Sequence, residues 1–423
     1  MSQLLQQLLK ERNEPGKARG IYSVCSAHPW VIRASMQQAI ADGSPLLIEA
    51  TSNQVNQDGG YTGMRPKDFR KLVEELAAEE GLALDRIILG GDHLGPNPWQ
   101  NLPAEEAMRR AEAMVAEYAA AGFRKIHLDA SMACADDVSP LPTAVVAERA
   151  ARLCRAAEKA ATGEKPGYIF GTEVPVPGGA TESLNGLEVT RLKDAEETWR
   201  IHREVFHAHG LDDAWERMLG MVVQPGVEFN HDSVVNYDRA KAVTLTSLLD
   251  RAHGLVFEAH STDYQRPDLY RALVEDGFAI LKVGPALTFA MREALFALAA
   301  IEKELVPPEE SSRLPEVMEE VMLAHPKNWS SHYHGNTKEQ KLLRRYSYSD
   351  RIRYYWNDPD AERAVELLMR NLRAVTLPET LLSAYLPLEY REVRQGVLQA
   401  EPEAIVLRQI RRALEPYAAA CFG

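Results

Sequence analysis

Asp92 and His93 are neighbours at the end of the apolar run Arg86–His93 (RIILGGDH). An imidazole can bind a divalent metal while the carboxylate beside it moves a proton, so the pair has the parts for metal-assisted proton chemistry. His260 ends a second apolar run, Leu255–Ser261, and Glu173 ends a third, Tyr168–Val174. His93, His260 and Glu173 supply the two imidazoles and one carboxylate expected of a divalent-metal site, with zinc the expected ion. His231, on a later loop, is a fourth candidate ligand. Asp129, in Lys125–Ser131 (KIHLDAS), has the same character as Asp92. A metal that polarises a carbonyl or alkoxide beside a carboxylate base suits reversible C–C cleavage in a polyol phosphate. The competing expectation is that each histidine only hydrogen-bonds a nearby loop and that Asp92 caps a turn. Adjacent strand residues face opposite ways. Asp92 and His93 therefore share one mouth only if the backbone turns, and Gly90–Gly91 is expected to ease that turn.

An anionic substrate group needs donors as well. Lys282 follows the run Ala279–Gly284, and Arg292 lies ten residues on, within the following helical stretch. Arg351 belongs to a hydroxyl-rich and basic patch, Ser347–Arg351 (SYSDR), which continues to Arg353. Ser26 and Asn53 lie at the ends of two earlier runs. Together Ser26, Asn53, Lys282, Arg292 and Arg351 are the candidate substrate and phosphate contacts.

These residues need a scaffold that brings distant segments to one place. Short β-branched runs recur at Gly20–Ser26, Leu46–Ser52, Arg86–His93, Lys125–Ser131, Tyr168–Val174, Met221–Gly226, Leu255–Ser261 and Ala279–Gly284. Their length and bounds predict buried parallel strands. Helical periodicity fills the intervals, as in Phe69–Glu80 and Ala104–Ala121. Eight such units predict a (β/α)₈ TIM barrel over residues 20–300, preceded by a lead-in of residues 1–19. Such barrels form their sites at the carboxyl ends of the strands, where the polar residues above fall. An open doubly wound sheet would favour a GxGxxG turn after the first strand, and SVCSAHP is not one. The Pro-Pro pair in Glu304–Glu310 marks a boundary, and residues 301–423 read as a helical C-terminal extension.

Composition narrows the functional classes. The chain has 423 residues, 48 Lys plus Arg against 61 Asp plus Glu, and a net charge of -13. An acidic chain of ordinary apolar content is neither disordered nor a general nucleic-acid binder. Its four cysteines are too sparse for a disulfide framework. The N-terminus lacks a signal-peptide core, and no run of apolar residues is long enough for a membrane span, so a cytoplasmic protein is expected.

Longer stretches carry a resemblance. IYSVCSAHPWVI, PLLIEATSNQVNQDGGYTGM, LGGDHLGPNPWQNLPA and KIHLDASMACADD are similar to the Z-type subunit family of tagatose-1,6-bisphosphate aldolase. So are GTEVPVPGGA, VVQPGVEFNHDSV, FEAHSTDYQ, AILKVGPALTFAMREALFALA and YSYSDRIRYYW, which extend the likeness over nearly the whole chain. The resemblance implies a barrel related to class II, metal-dependent aldolases. It implies a component required for the activity and stability of a catalytic Y-type class II aldolase subunit in galactitol and N-acetylgalactosamine breakdown, within an oligomer. Some relatives are described as C4 epimerases of ketohexose 6-phosphates, which supplies the alternative of an autonomous enzyme. By the same resemblance, Asp92 and His93 look like a base and metal-ligand pair and His260 like a second ligand. Glu173 and His231 carry over less directly.

Overall fold

The structure is a computed structural model that describes residues 5–7, 9, 20–172, 187–252 and 254–423. Among these, eight parallel strands close into a barrel. We number them β1 (Ile21–Cys25), β2 (Leu46–Thr51), β3 (Ile87–Leu94), β4 (Lys125–Leu128), β5 (Gly167–Phe170), β6 (Met218–Val222), β7 (Val256–Ala259) and β8 (Phe278–Val283). Each strand pairs with the next, and β1 closes on β8 through the register Ile21↔Ile280 to Val24↔Val283. The TIM-barrel expectation is met. The sixth run was expected at Met221–Gly226, but β6 spans Met218–Val222, which places Gln224 beyond the strand. Between β6 and β7 a two-stranded ladder, Glu228–Phe229 with Val234–Val235, sits outside the barrel.

The helices start and stop where local chemistry dictates. α1 (Pro29–Asp42) and α2 (Pro66–Glu80) begin with proline, whose missing N–H would be unpaired there anyway. Both end at a glycine in the left-handed conformation, Gly43 and Gly81. α3 (Ala104–Ala120), α4 (Thr143–Ala160), α5 (Leu192–Ala208), α6 (Arg239–Thr246), α7 (Pro267–Glu275) and α8 (Pro285–Leu305) complete the ring. Beyond α8 come α9 (Leu314–Ala324), α10 (Thr337–Tyr346), α11 (Pro359–Arg373), α12 (Glu379–Tyr385), α13 (Pro387–Arg394) and α14 (Pro402–Phe422). α14 packs against α1, α7 and α8 and reaches β1, so the extension is built into the barrel wall. Tyr417 of α14 packs against Tyr270 with ring centroids 4.0 Å apart. No helix among the described residues is long and apolar enough to cross a membrane.

Period-two alternation divides the barrel interior into two zones. Ile21, Leu47, Ile88, Ile169, Leu219, Val256 and Ile280 form an apolar floor. Leu5 and Leu9 of the N-terminal segment are buried against it, while most of residues 1–19 lie outside the described residues. Two residues further along their strands stand Glu49, Gly90, Glu258 and Lys282, so the layer above the floor is charged.

Candidate active site

The charged layer is organised by two lysines. Lys125 of β4 is fully buried, with its ammonium 2.5 Å from Glu49 Oε1 and 2.7 Å from Glu258 Oε2. Lys282 of β8 meets the same two carboxylates from the mouth side. It is ion-paired to Glu49 Oε2 and lies 3.7 Å from Glu258 Oε1. It also lies 2.9 Å from Asp92 Oδ1. Buried carboxylates are tolerated only when paired in this way. Glycine makes the arrangement possible at Gly90, where a Cβ would stand 2.7 Å from Glu49 Cγ.

Three imidazoles lie at the carboxyl ends of β3, β4 and β7. Ring centroids of His93, His127 and His260 are separated by 5.0–5.4 Å. Each has a carboxylate partner. His93 Nδ1 is 2.9 Å from Asp129 Oδ2, His127 Nδ1 is 3.0 Å from Asp92 Oδ1, and His260 Nε2 is 2.9 Å from Glu258 Oε1. Such pairing fixes the orientation of each ring. His127 Nε2 is buried without a hydrogen-bond partner among the described residues. Its Nδ1 also accepts from the His93 backbone N–H at 3.3 Å.

Asp92 and His93 do share the mouth, but Gly90–Gly91 is not the hinge. His93 itself turns the chain, with φ 49°, and the β3–β4 register shifts between Gly91 and Leu94. A left-handed histidine is strained, and Ser261 (φ 53°) and Tyr264 (φ 64°) carry the same strain after β7. Gly91 instead makes room, because a Cβ there would stand 2.5 Å from Leu94 and 2.8 Å from Tyr118.

The electrostatics separate the groups. Burial alone would raise the Asp92 carboxyl. The charges of His93 and Lys282 and the His127 hydrogen bond outweigh it and hold Asp92 well below the usual range. Asp129 is lowered in the same way, its burial outweighed by His93 and Ser131. Burial works against protonation of His93, but Asp92 and Asp129 raise it. At His260 burial dominates and lowers it to about 4, so that ring is neutral at pH 7. Lys282 is raised well above the usual amine, because its carboxylates and Cys25 outweigh burial. It stays a cation and is not a free amine nucleophile.

The structure brings together a different donor group from the one expected from sequence, with only His260 in common. One ligand atom from each of Asp92, His127, Glu258 and His260 lies within 4.8 Å of the others. Asp92 and His260 line the mouth cavity, while His127 and Glu258 are fully buried beneath it. Two imidazoles with carboxylate oxygens suit a divalent ion, and the cavity leaves one side open to substrate. His93 stands beside this group, with Nε2 3.6 Å from Asp92 Oδ2. His231 is elsewhere. Its nitrogens meet Ser347 Oγ at 3.2 Å and the His332 carbonyl at 3.1 Å, so it ties the β6–β7 segment to the extension. Glu173 lies outside the described residues. Asp129 orients His93 and accepts from Ser131 Oγ at 2.8 Å.

The expected anion contacts are redistributed. Ser26, Asn53 and Lys282 line the cavity, yet the charge of Lys282 is committed to carboxylates. The backbone start of α8, another natural anion site, is occupied by Asp263, which accepts from Gly284 N at 3.0 Å and Ala286 N at 2.9 Å. Arg292 is buried away from the cavity, 4.2 Å from the Phe289 ring centroid and 3.5 Å from Asp350 Oδ1. Arg351 is also buried and donates to the Asn328 carbonyl. Neither is a mouth residue: Asp350 and Tyr346 of the extension cover Arg292, and Arg351 is buried within the extension itself. The same fold brings Arg353, Tyr354 and Asn357 to the rim of the cavity. Tyr354 meets Tyr61 of the β2–α2 loop edge-on at 5.1 Å. Sequence spacing did not single out His127, Glu258 or Lys125 for the site. The signal was the alternation Lys125–His127–Asp129 and Val256–Glu258–His260, which puts each set on one face.

The chain is similar to several proteins of solved structure. A crystal structure of a Sinorhizobium meliloti 1021 protein, described as a probable tagatose 6 phosphate kinase, is 52% identical, with TM-score 0.89, covering 95% of this chain and 100% of that one. Fructose-bisphosphate aldolase from Campylobacter jejuni matches at 14% identity and TM-score 0.45, covering 89% of this chain and 94% of that one. The YdjI aldolase of Escherichia coli K12 matches at 11% and 0.43, covering 88% and 98%. Residues 5–422 match one family throughout, and this chain belongs to it: the D-tagatose-1,6-bisphosphate aldolase subunit GatZ/KbaZ-like family.

Proposed function

We propose that this chain acts on a ketohexose phosphate by metal-dependent retro-aldol chemistry, as a C4 epimerase or an aldolase. The observation that supports it is the buried group Asp92, His127, Glu258 and His260 at the floor of a polar cavity. His127, His260 and Glu258 would hold the ion, with zinc the expected metal. A bound divalent ion would polarise the substrate carbonyl and stabilise the negative charge that develops when the C–C bond breaks. The chain's own residues supply the rest. Asp92, ionised at neutral pH, accepts the hydroxyl proton of the carbon that becomes an aldehyde and returns it on re-addition. Lys282 and His93 hold Asp92 in place. Arg353 and Asn53 at the rim bind the phosphate and orient the sugar, and Ser26 borders the same cavity.

A second reading is favoured by the description of the family as a subunit. In it the chain supports a separate catalytic class II aldolase subunit, in the cytoplasm, in galactitol and N-acetylgalactosamine breakdown. One set of measurements separates the two. Purified chain is analysed for metal, then assayed alone with fructose 6-phosphate, tagatose 6-phosphate and tagatose 1,6-bisphosphate. Stoichiometric metal, lost in His127→Ala or His260→Ala, together with turnover abolished by Asp92→Asn, is the expected result. An inert, metal-free chain that strongly activates a co-expressed class II subunit would overturn it in favour of the supporting role. Consumption of ATP with tagatose 6-phosphate would overturn both.

A further inference from the structure

A second donor group lies beside the first. One atom each of Cys25, Glu49 and Asp92 lies within 4.8 Å of the others, and Asp92 belongs to both groups. Two donor groups sharing one carboxylate are the usual frame of a two-metal site, in which ions about 3.5–4 Å apart are bridged. In this protein the second position already contains a cation. The Lys282 ammonium lies 2.9 Å from Asp92 Oδ1 and is ion-paired to Glu49 Oε2. Cys25 Sγ lies 3.8 Å from the other oxygen, Asp92 Oδ2, and the ammonium also lies 3.7 Å from Glu258 Oε1 of the first group.

We propose that Lys282 is a resident cation that fills the second metal position, so that the site takes one divalent ion and not a bridged pair. The inference rests on the metal reading above and extends it. β8 delivers the ammonium by register: Lys282 lies opposite Ser23 of β1 and two residues beyond the floor residue Ile280, so its side chain enters the barrel. An ammonium is a compact point charge with three donors and no acceptor, which suits a position bounded by carboxylates. It is tethered, so it needs no binding from solution. A second divalent ion could enter only by displacing it from Asp92 and Glu49. That would leave a buried ammonium without those partners among groups of its own sign, a costly exchange. Asp92 would then carry no second ion and stay available for proton transfer.

Manganese loading tests this without reference to turnover. Full-length protein is stripped of metal, reloaded with Mn²⁺, and read by elemental analysis and electron paramagnetic resonance. The wild type should saturate at one Mn²⁺ per chain with an uncoupled six-line spectrum, even in large excess of metal. Lys282→Met should bind two, with a spin-coupled spectrum, and Lys282→Arg should stay at one. Because Lys282→Met leaves Glu49 short of one partner, its Tm is followed in parallel and should rise with added Mn²⁺ more than that of the wild type. Two coupled ions in the wild type, or one ion in both wild type and Lys282→Met, would overturn the resident-cation proposal alone. No ion in the wild type would overturn the metal reading on which it rests.

Discussion

Lys125→Met is the sharpest test of the charged layer. The lysine touches no solvent, and its ammonium bridges Glu49 and Glu258 at 2.5 and 2.7 Å. Methionine keeps most of the stem volume, so packing changes little and the loss is mainly one of charge. Removing one partner of a buried ion pair costs about 3–5 kcal/mol, because the other charge remains. Both carboxylates keep Lys282 as a neighbour, which places the expectation near the lower figure. A fold of ordinary stability has about 5–15 kcal/mol in total, so the variant should fold but unfold at much lower urea.

The cost also has a pH signature. In the wild type the Glu258 carboxyl is held well below its ordinary value, because Lys125, Lys282 and His260 outweigh its burial. That contribution is fully present above the unfolded value near 4.5 and is lost as pH falls through the folded one. Without Lys125 only Lys282 opposes the burial of both carboxylates, and the variant is expected to raise one of them above its unfolded value. The variant then loses about 1.4 kcal/mol per pH unit between the unfolded value and the raised one. Urea unfolding of wild type and variant at about pH 5.5 and about pH 8 should show a penalty that grows with pH. Adding Glu49→Gln should recover about 2 kcal/mol or more, a coupling that independent sites do not show. A pH-independent penalty below about 1 kcal/mol, or simple additivity with Glu49→Gln, would refute the account of the layer as mutually compensating charges.

Two further outcomes follow from other parts of the structure. Burial raises Glu228 to about 7, so its ionisation opposes folding as pH rises from 4.5 toward that value. Glu228→Gln should therefore stabilise the protein by up to about 3 kcal/mol near pH 8 and by almost nothing near pH 4.5, measured as the shift in unfolding free energy. Arg353→Ala removes the rim guanidinium, and the loss of a charge-assisted hydrogen bond of about 1.5–3 kcal/mol corresponds to a KM roughly 10- to 100-fold higher for a sugar phosphate. Its kcat, and its kinetics with an unphosphorylated sugar, should stay near wild type; equal losses for both substrates would remove Arg353 from phosphate recognition.

Much of this protein is set locally. The eight apolar runs, the helical intervals and the proline and glycine signals at the helix ends predict the barrel, because buried strands and capped helices are specified by neighbours in sequence. The proximity of Asp92, His93 and His260 follows from their places at strand ends. The period of two even contained the deeper layer, since Lys125 and His127 alternate toward the interior, as do Glu258 and His260. Only the folded chain decided which groups act together. A single backbone angle at His93 sets that ring beside Asp129 and leaves His127 in the donor group. The fate of Lys282 depends on Glu49 and Asp92, which approach from other strands. Arg292 and Arg351 look like open cations in sequence, yet the fold of the extension buries Arg292 beneath it and Arg351 within it, and carries Arg353 to the rim of the cavity that Tyr61 also lines. Charge, pairing and access are properties of distances between residues far apart in the chain, and those distances exist only once the barrel has closed.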